Sequence, residues 1–302
     1  MDILLSSTSQ GLLWSIMAIG VYLNFRILNI TDLTAEGSFP LGAAITATLI
    51  VNGIPPWIAT LAALVSGMLA GVISAVLHTK LKIPSLISGI ITMTGLYSIN
   101  LRIMGKANVN LLGESTLMRT VESLGIKSNL STLVVGGIVT SLVILVLKAF
   151  YSTETGLAIR STGDNPSMSE ANGINTDKME IISYMLCNGL IAMAGGLIAQ
   201  DNGFADISSG IGTIVIALAS IVIGEVIFRH LTFAKRLMTI VIGSVLYRLM
   251  LSLVLELNVD PQDLKVFSAI LLTVALASPL VKLPNKGKRK TPQVKKKGAT
   301  TI

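Results

Sequence analysis

Charge is scarce in this chain. Charged residues are 13% of its 302 residues and hydrophobic ones 52%, whereas an ordinary soluble domain carries roughly 25% charged residues. Such a composition excludes a soluble globular domain and describes an integral membrane protein. A single cysteine, Cys187, excludes an internal disulfide; it lies in an apolar run and reads as a small packing residue. The two histidines, His78 and His230, are far apart, and no H-E-x-x-H or clustered Cys/His spacing occurs, so no metal is expected. The chain lacks the G-x-x-x-x-G-K-[ST] loop that holds nucleotide phosphates and the G-x-S-x-G nucleophile signature. It is therefore not read as an enzyme, and no cofactor is expected. Any ATP-driven step belongs to another polypeptide.

The net charge of +7 does not point to nucleic acid. Residues 282–302 hold eight Lys/Arg and no acid, and without them the chain has 15 basic against 16 acidic residues. The basic character is a terminal tail, read as a topology signal next to membrane lipid.

What is present is apolar sequence in long runs. A helix crosses the hydrocarbon in about 20 residues, and stretches without Asp, Glu, Lys or Arg run 3–25, 37–79, 83–101, 128–147, 181–200, 207–224 and 266–281. A further stretch, 237–255, is interrupted only by Arg248. The 37–79 run contains "NGIPP" at 52–56, a turn that denies helix continuation, so it splits in two. The expected fold is all-α and polytopic, with about nine transmembrane helices in one domain over residues 1–281. Asp2 precedes the first run and Arg26 follows it without a basic leader region, which favours a retained span over a cleaved signal. With alternating spans and a cytoplasmic tail, 17 Lys/Arg fall inside and five outside. Discounting the tail the split is nine against five, which puts the N-terminus outside and the C-terminus in the cytoplasm.

In that topology residues 148–180 are the longest cytoplasmic loop before the tail. Asn165–Pro166 supplies an N-cap and a first-turn proline, and Gly173 a stop, so a helix of about two turns is expected outside the bilayer. Asp177 followed by Glu180 suggests a second N-terminus leading into the 181–200 span. A plain amphipathic connector fits this spacing, and so does a rigid docking element.

At this point the residues carry a resemblance. The stretch "GLAIRSTGDNPSMSEANGINTDKMEIISYMLCNGLIAMAGGLIAQ" (156–200) resembles the cytoplasmic coupling loop and following span of permease subunits of ABC importers of the branched-chain amino acid type, a family that includes simple-sugar permeases. Arg160, Gly173, Ile174, Asn175 and Gly195–Gly196 match its pattern. "AIGVYLNFRILNITDLTAEGSFPLGAAITA" (18–47) is similar to the family's first broken helix pair, with Gly37 and Gly42 at its usual glycines. The 102–127 segment and the tail match no pattern. The resemblance implies two cytoplasmic ATPases, an external substrate-binding protein and a second permease subunit, expected as a homodimer in a family that also includes heterodimers. Residues Arg160, Asn165, Pro166, Glu170, Gly173, Ile174 and Asn175 would couple to the ATPase, and a small polar solute would be moved by alternating access. An amino acid, aromatic or branched-chain, is favoured over a sugar or nucleoside.

Polar residues inside spans are costly unless they face the bundle interior or water. Asn24, Asn100 and Asn188 rank first as path candidates, with Thr92 behind them because threonine commonly bonds its own helix backbone. Gly37 and Pro40 are expected to break a helix near the membrane, beside Asp32 and Glu36. Arg248 snorkels, pairs with Glu225 or Glu256, or meets an anionic group in transit. The rival from another class, an ion-coupled secondary transporter, needs intramembrane carboxylates, and all 16 acidic residues fall in loops or at span ends. A non-transporting scaffold is a second rival; it predicts that Gly173 tolerates a bulky residue.

Overall fold

The computed structural model describes residues 2–227, 232–256 and 264–277; His230 and the basic tail lie outside them. Helix α1 (Asp2–Tyr22) runs into a π-helical turn (Leu23–Ile27), and α2 (Ala35–Val51), α3 (Pro56–Thr79) and α4 (Ser85–Met104) follow. Then come β1 (Asn108–Asn110), α5 (Leu117–Glu122), α6 (Ser128–Phe150), α7 (Glu154–Asp164), α8 (Pro166–Ala171) and α9 (Thr176–Asn202). The chain continues through β2 (Phe204–Asp206), a 3-10 turn (Ile207–Gly210), α10 (Thr213–Ile227), α11 (Phe233–Glu256) and α12 (Leu264–Ala277). Each expected apolar run falls on a helix, and the Asn52–Pro55 turn divides α2 from α3. Among the described residues seven helical stretches, α1 with its π-turn, α3, α4, α6, α9, α10 with the 3-10 turn before it, and α11, are long and apolar enough to cross a membrane. Helix α2 has 17 residues, and α12 is described over 14.

Helix α9 is the axis of the bundle. Its apolar window is 78% buried, because it is hydrophobic on all sides and is packed by α1, α2 and α3. Small residues allow this crowding. A Cβ on Gly42 of α2 would overlap the Ala192 carbonyl of α9, so only glycine fits there.

The expected break at Gly37 and Pro40 is not observed; both lie inside α2. The chain leaves helical geometry earlier, over 28–34. Pro40 does act, by withholding the N–H that the Glu36 carbonyl would otherwise accept, and Gly210 packs against that carbonyl.

The two ends of the bundle differ in chemistry. At one, β1 and β2 pair antiparallel, with Asn108 opposite Asp206 and Asn110 opposite Phe204, which ties the end of α4 to the end of α9. Asp206 closes the following turn, accepting from the Ser208 N–H at 2.6 Å, from the Ser208 hydroxyl and from the Asn108 amide at 3.4 Å. Partial burial pushes its carboxyl up, and these bonds more than offset that, holding it below the ordinary carboxylate range. At the opposite end, Asp177 pairs with Lys80 at 2.8 Å and Lys82 at 3.5 Å, and Arg26 with Glu225 at 3.0 Å.

Candidate functional site

Residues 153–176 form a compact projecting unit at the Asp177 end. Thr153 caps α7 by accepting from the Gly156 N–H at 3.3 Å. This helix was missed in the sequence, although Thr153–Glu154 is an N-terminal signal. Asn165 caps α8, accepting from the Met168 N–H at 3.0 Å, with Pro166 in the first turn. Gly173 stops it in the left-handed region at φ +80°, where a side chain is strained, and the Ile174 N–H returns to the Ser169 carbonyl at 3.0 Å. The next cap is Asn175, accepting from the Lys178 N–H at 3.0 Å, and not Asp177, whose carboxylate is drawn off by the lysines. Glu170 accepts from the Thr176 hydroxyl at 2.7 Å, and Ser161 meets Ser169 at 2.8 Å, which fastens α8 to both neighbours. Arg160 lies over the Phe233 ring at 5.9 Å. The seven loop residues named from the sequence thus belong to one folded unit. Its tip is exposed, with Met168 64% accessible.

The unit is joined to the interior. Asn29, in the left-handed region that asparagine tolerates, donates its amide to the Gly163 carbonyl at 3.2 Å. Gly163 in turn packs on the Ile27 carbonyl, where a Cβ would overlap. Three residues on, Asp32 is buried among the helices, 9% exposed. Its Oδ2 accepts from Asn188 at 2.8 Å and Asn24 at 3.3 Å, and its Oδ1 from the Thr34 N–H at 2.9 Å. Beyond these, Ser183 donates to the Asn24 oxygen at 2.9 Å, Ser38 to the Asn188 oxygen at 2.8 Å, and Thr34 to Ser74 at 2.7 Å. One carboxylate therefore joins the π-turn, the start of α2 and α9, and Thr34 adds α3 through Ser74. The sequence reading set every acid in loops or at span ends; Asp32 is in a linker by sequence and in the core by packing, because 30–34 turns back into the bundle.

Asn100 is elsewhere. It lines a cavity of about 350 Å³ between α2, α4 and the Ile207–Gly210 turn, with Glu36, Met93, Tyr97 and Ile211. Its Nδ2 donates to the Gly37 carbonyl at 3.3 Å, while its buried Oδ1 has no partner among the described residues. Glu36 accepts from the Gly212 N–H at 3.0 Å. Thr92 joins neither group: its hydroxyl bonds its own helix at Ser88, 2.9 Å. Arg248 does not pair with Glu225, which is taken by Arg26; it stacks on Trp14 at 4.5 Å. A second, polar cavity of about 330 Å³ at the β1–β2 end is lined by Arg119, Thr132, Gln200 and Asp201.

The family model for the permease component of branched-chain amino acid transport systems matches residues 3–277. The chain belongs to this family. The permease is 38% identical over 275 residues to the "Tyrosine transport system permease protein" of Clostridioides difficile, covering 91% of this chain and 90% of that one. It is 32% identical to an uncharacterised protein of Rickettsia prowazekii, over 92% and 98% of the two chains. A "Probable branched-chain amino acid transport permease protein LivH" of Methanocaldococcus jannaschii is 28% identical over 72% of this permease and 71% of its own length. No solved structure matches. The permease is a multi-pass protein of the plasma membrane, in keeping with its family and the seven apolar helices among the described residues.

Proposed function

We propose that this permease is the membrane subunit of an ABC importer for an amino acid, with an aromatic side chain favoured by its likeness to the tyrosine permease. Two copies, or one copy and a sister chain, enclose the path; separate ATPases dock on 153–176, and an external binding protein delivers substrate at the β1–β2 end. Nine crossings, with the N-terminus outside and the tail in the cytoplasm, complete the arrangement. The observation that carries this reading is the bond between the exposed α7–α8 unit and Asn29. A push on α8 reaches Gly163, then Asn29, then Asp32 and the start of α2, through contacts too tight to absorb it. The rival ion-coupled mechanism has Asp32 as its natural proton carrier. That carboxylate is surrounded by amide and backbone donors that hold it in place, which supports a structural role.

The test is gentle extraction of the tagged chain from its native membrane, together with uptake of labelled L-tyrosine and L-leucine into vesicles. An ATP-hydrolysing protein should co-purify and be lost in Gly173→Trp, and uptake should need ATP and survive collapse of the ion gradients. Uptake abolished by ionophores with no ATPase present would sink the proposal in favour of the secondary transporter.

A further inference from the structure

We propose that Asp177, held between Lys80 and Lys82, is the positioning residue through which the coupling unit sets the near end of α4. This rests on the ATP-driven reading above and adds a second arm to it, beside the one through Asn29.

The unit leads directly into this clamp. Thr176 donates its hydroxyl to Glu170 of α8 at 2.7 Å, and the next residue is Asp177. One carboxylate oxygen of Asp177 meets the Lys80 ammonium at 2.8 Å, and the other meets the Lys82 ammonium at 3.5 Å. Both lysines belong to the turn 80–84 that joins α3 to α4. His78 braces the same turn. Its Nδ1 donates to the Ile83 carbonyl at 2.7 Å, and its Nε2 lies 3.7 Å from Glu180, three residues on from Asp177. Three side chains therefore hold the lead-in of α4 to the start of α9.

Backbone strain marks the same place. Among the described residues only two that are not glycine have a positive φ, Asn29 at +56° and Lys82 at +55°. A side chain makes that geometry costly, and lysine lacks the short polar group with which asparagine offsets it. Asn29 is the contact between the unit and the segment before α2. Lys82 is in the contact between the unit's exit and the segment before α4. The two unfavourable backbones stand at the two links, where the surroundings hold them.

Both links end on α4. A Cβ on Gly89, in its second turn, would lie 2.7 Å from the Leu33 nitrogen and 3.2 Å from the Asp32 carboxylate, so the Asn29 arm abuts α4 as well. This helix also has the least to hold it within the chain: its apolar window is 28% buried, the smallest share of the seven, against 78% for α9. Few buried contacts make an element easy to displace. The lysines are exposed, so the pairs add little to stability. Their role is to fix where the turn sits.

The test uses the permease–ATPase complex in vesicles and needs no solute. Leu86, exposed in the first turn of α4, is replaced by cysteine, and its labelling by a water-soluble maleimide is timed with and without ATP; Cys187 is buried and gives little background. With the clamp intact, ATP should change the labelling rate by about fivefold or more, the low end of coupling between sites. Asp177→Asn should reduce that change to about twofold or less while ATP hydrolysis continues, and should lower the unfolding temperature by no more than about 4 °C. Lys82→Gly should do the same without loss of stability, because glycine suits the left-handed backbone. Reversing the clamp, Asp177→Lys with Lys80→Asp and Lys82→Asp, should restore the response. Lys148→Ala, which removes a lysine with no ion pair among the described residues, should leave it unchanged. Should the triple variant fail to assemble, Asp177→Asn and Lys82→Gly decide. A response that survives both of these, or that ATP never produces with the clamp intact, overturns the clamp. A complex that hydrolyses no ATP overturns the ATP-driven reading instead, and this inference with it.

Discussion

Two asparagines flank the start of α2, and they are used differently. Asn188 is fully satisfied: its nitrogen serves Asp32 and the Tyr184 carbonyl, and its oxygen receives Ser38. Asn100, equally buried, leaves its oxygen without a partner among the described residues. Polar groups that hold a fold are completed from within the chain, because an open buried group costs about 1–3 kcal/mol.

The largest expected effect tests the satisfied side. Asp32→Ala orphans three buried donors and should cost about 3–6 kcal/mol, seen as loss of monodisperse protein or a large fall in the thermal unfolding temperature in detergent. Asn188→Leu should cost less, about 2–4 kcal/mol, since it removes one donor from Asp32 and strands Ser38. Asn100→Leu should change thermal stability by no more than about 1 kcal/mol, because it gives up one long bond and an oxygen with no partner among the described residues. Equal destabilisation by the two asparagine variants would erase the contrast. The smallest effect is at Asp206, where water replaces lost partners. Its folded-state carboxyl lies below its unfolded value, so its contribution is present above the ordinary value of 3.8 and fades as pH falls through the folded one. Asp206→Asn should lower the unfolding temperature slightly at pH 7 and leave it unchanged in acid below the folded value, which flattens the acid limb.

The helices were legible because hydrocarbon imposes a length and because turn residues are local. "NGIPP" cut one run in two, and Asn165–Pro166 and Gly173 bounded α8 with no tertiary information. Depth was not legible. Nothing around Asp32 says that a linker folds back into the bundle, since the donors that accept it into the core, Asn24 and Asn188, are far apart in sequence. The site followed the same division. The loop residues named for coupling lie close together in the sequence and were found together; of the path residues, Asn24 and Asn188 bond to Asp32, Thr92 bonds its own helix, and Asn24 and Asn100 line two different cavities. Glu36 could be suspected but not assigned, because its cavity needs the turn at 207–210, which a one-dimensional pattern cannot bring alongside α2.

The short β1–β2 ladder is a cross-link between helices far apart in sequence. It joins the ends of α4 and α9 at one face of the membrane, much as a pin joins the arms of tweezers. Helices joined at one end keep their spacing there, so the Asn108–Asp206 pairing fixes how far apart α4 and α9 stand at that end.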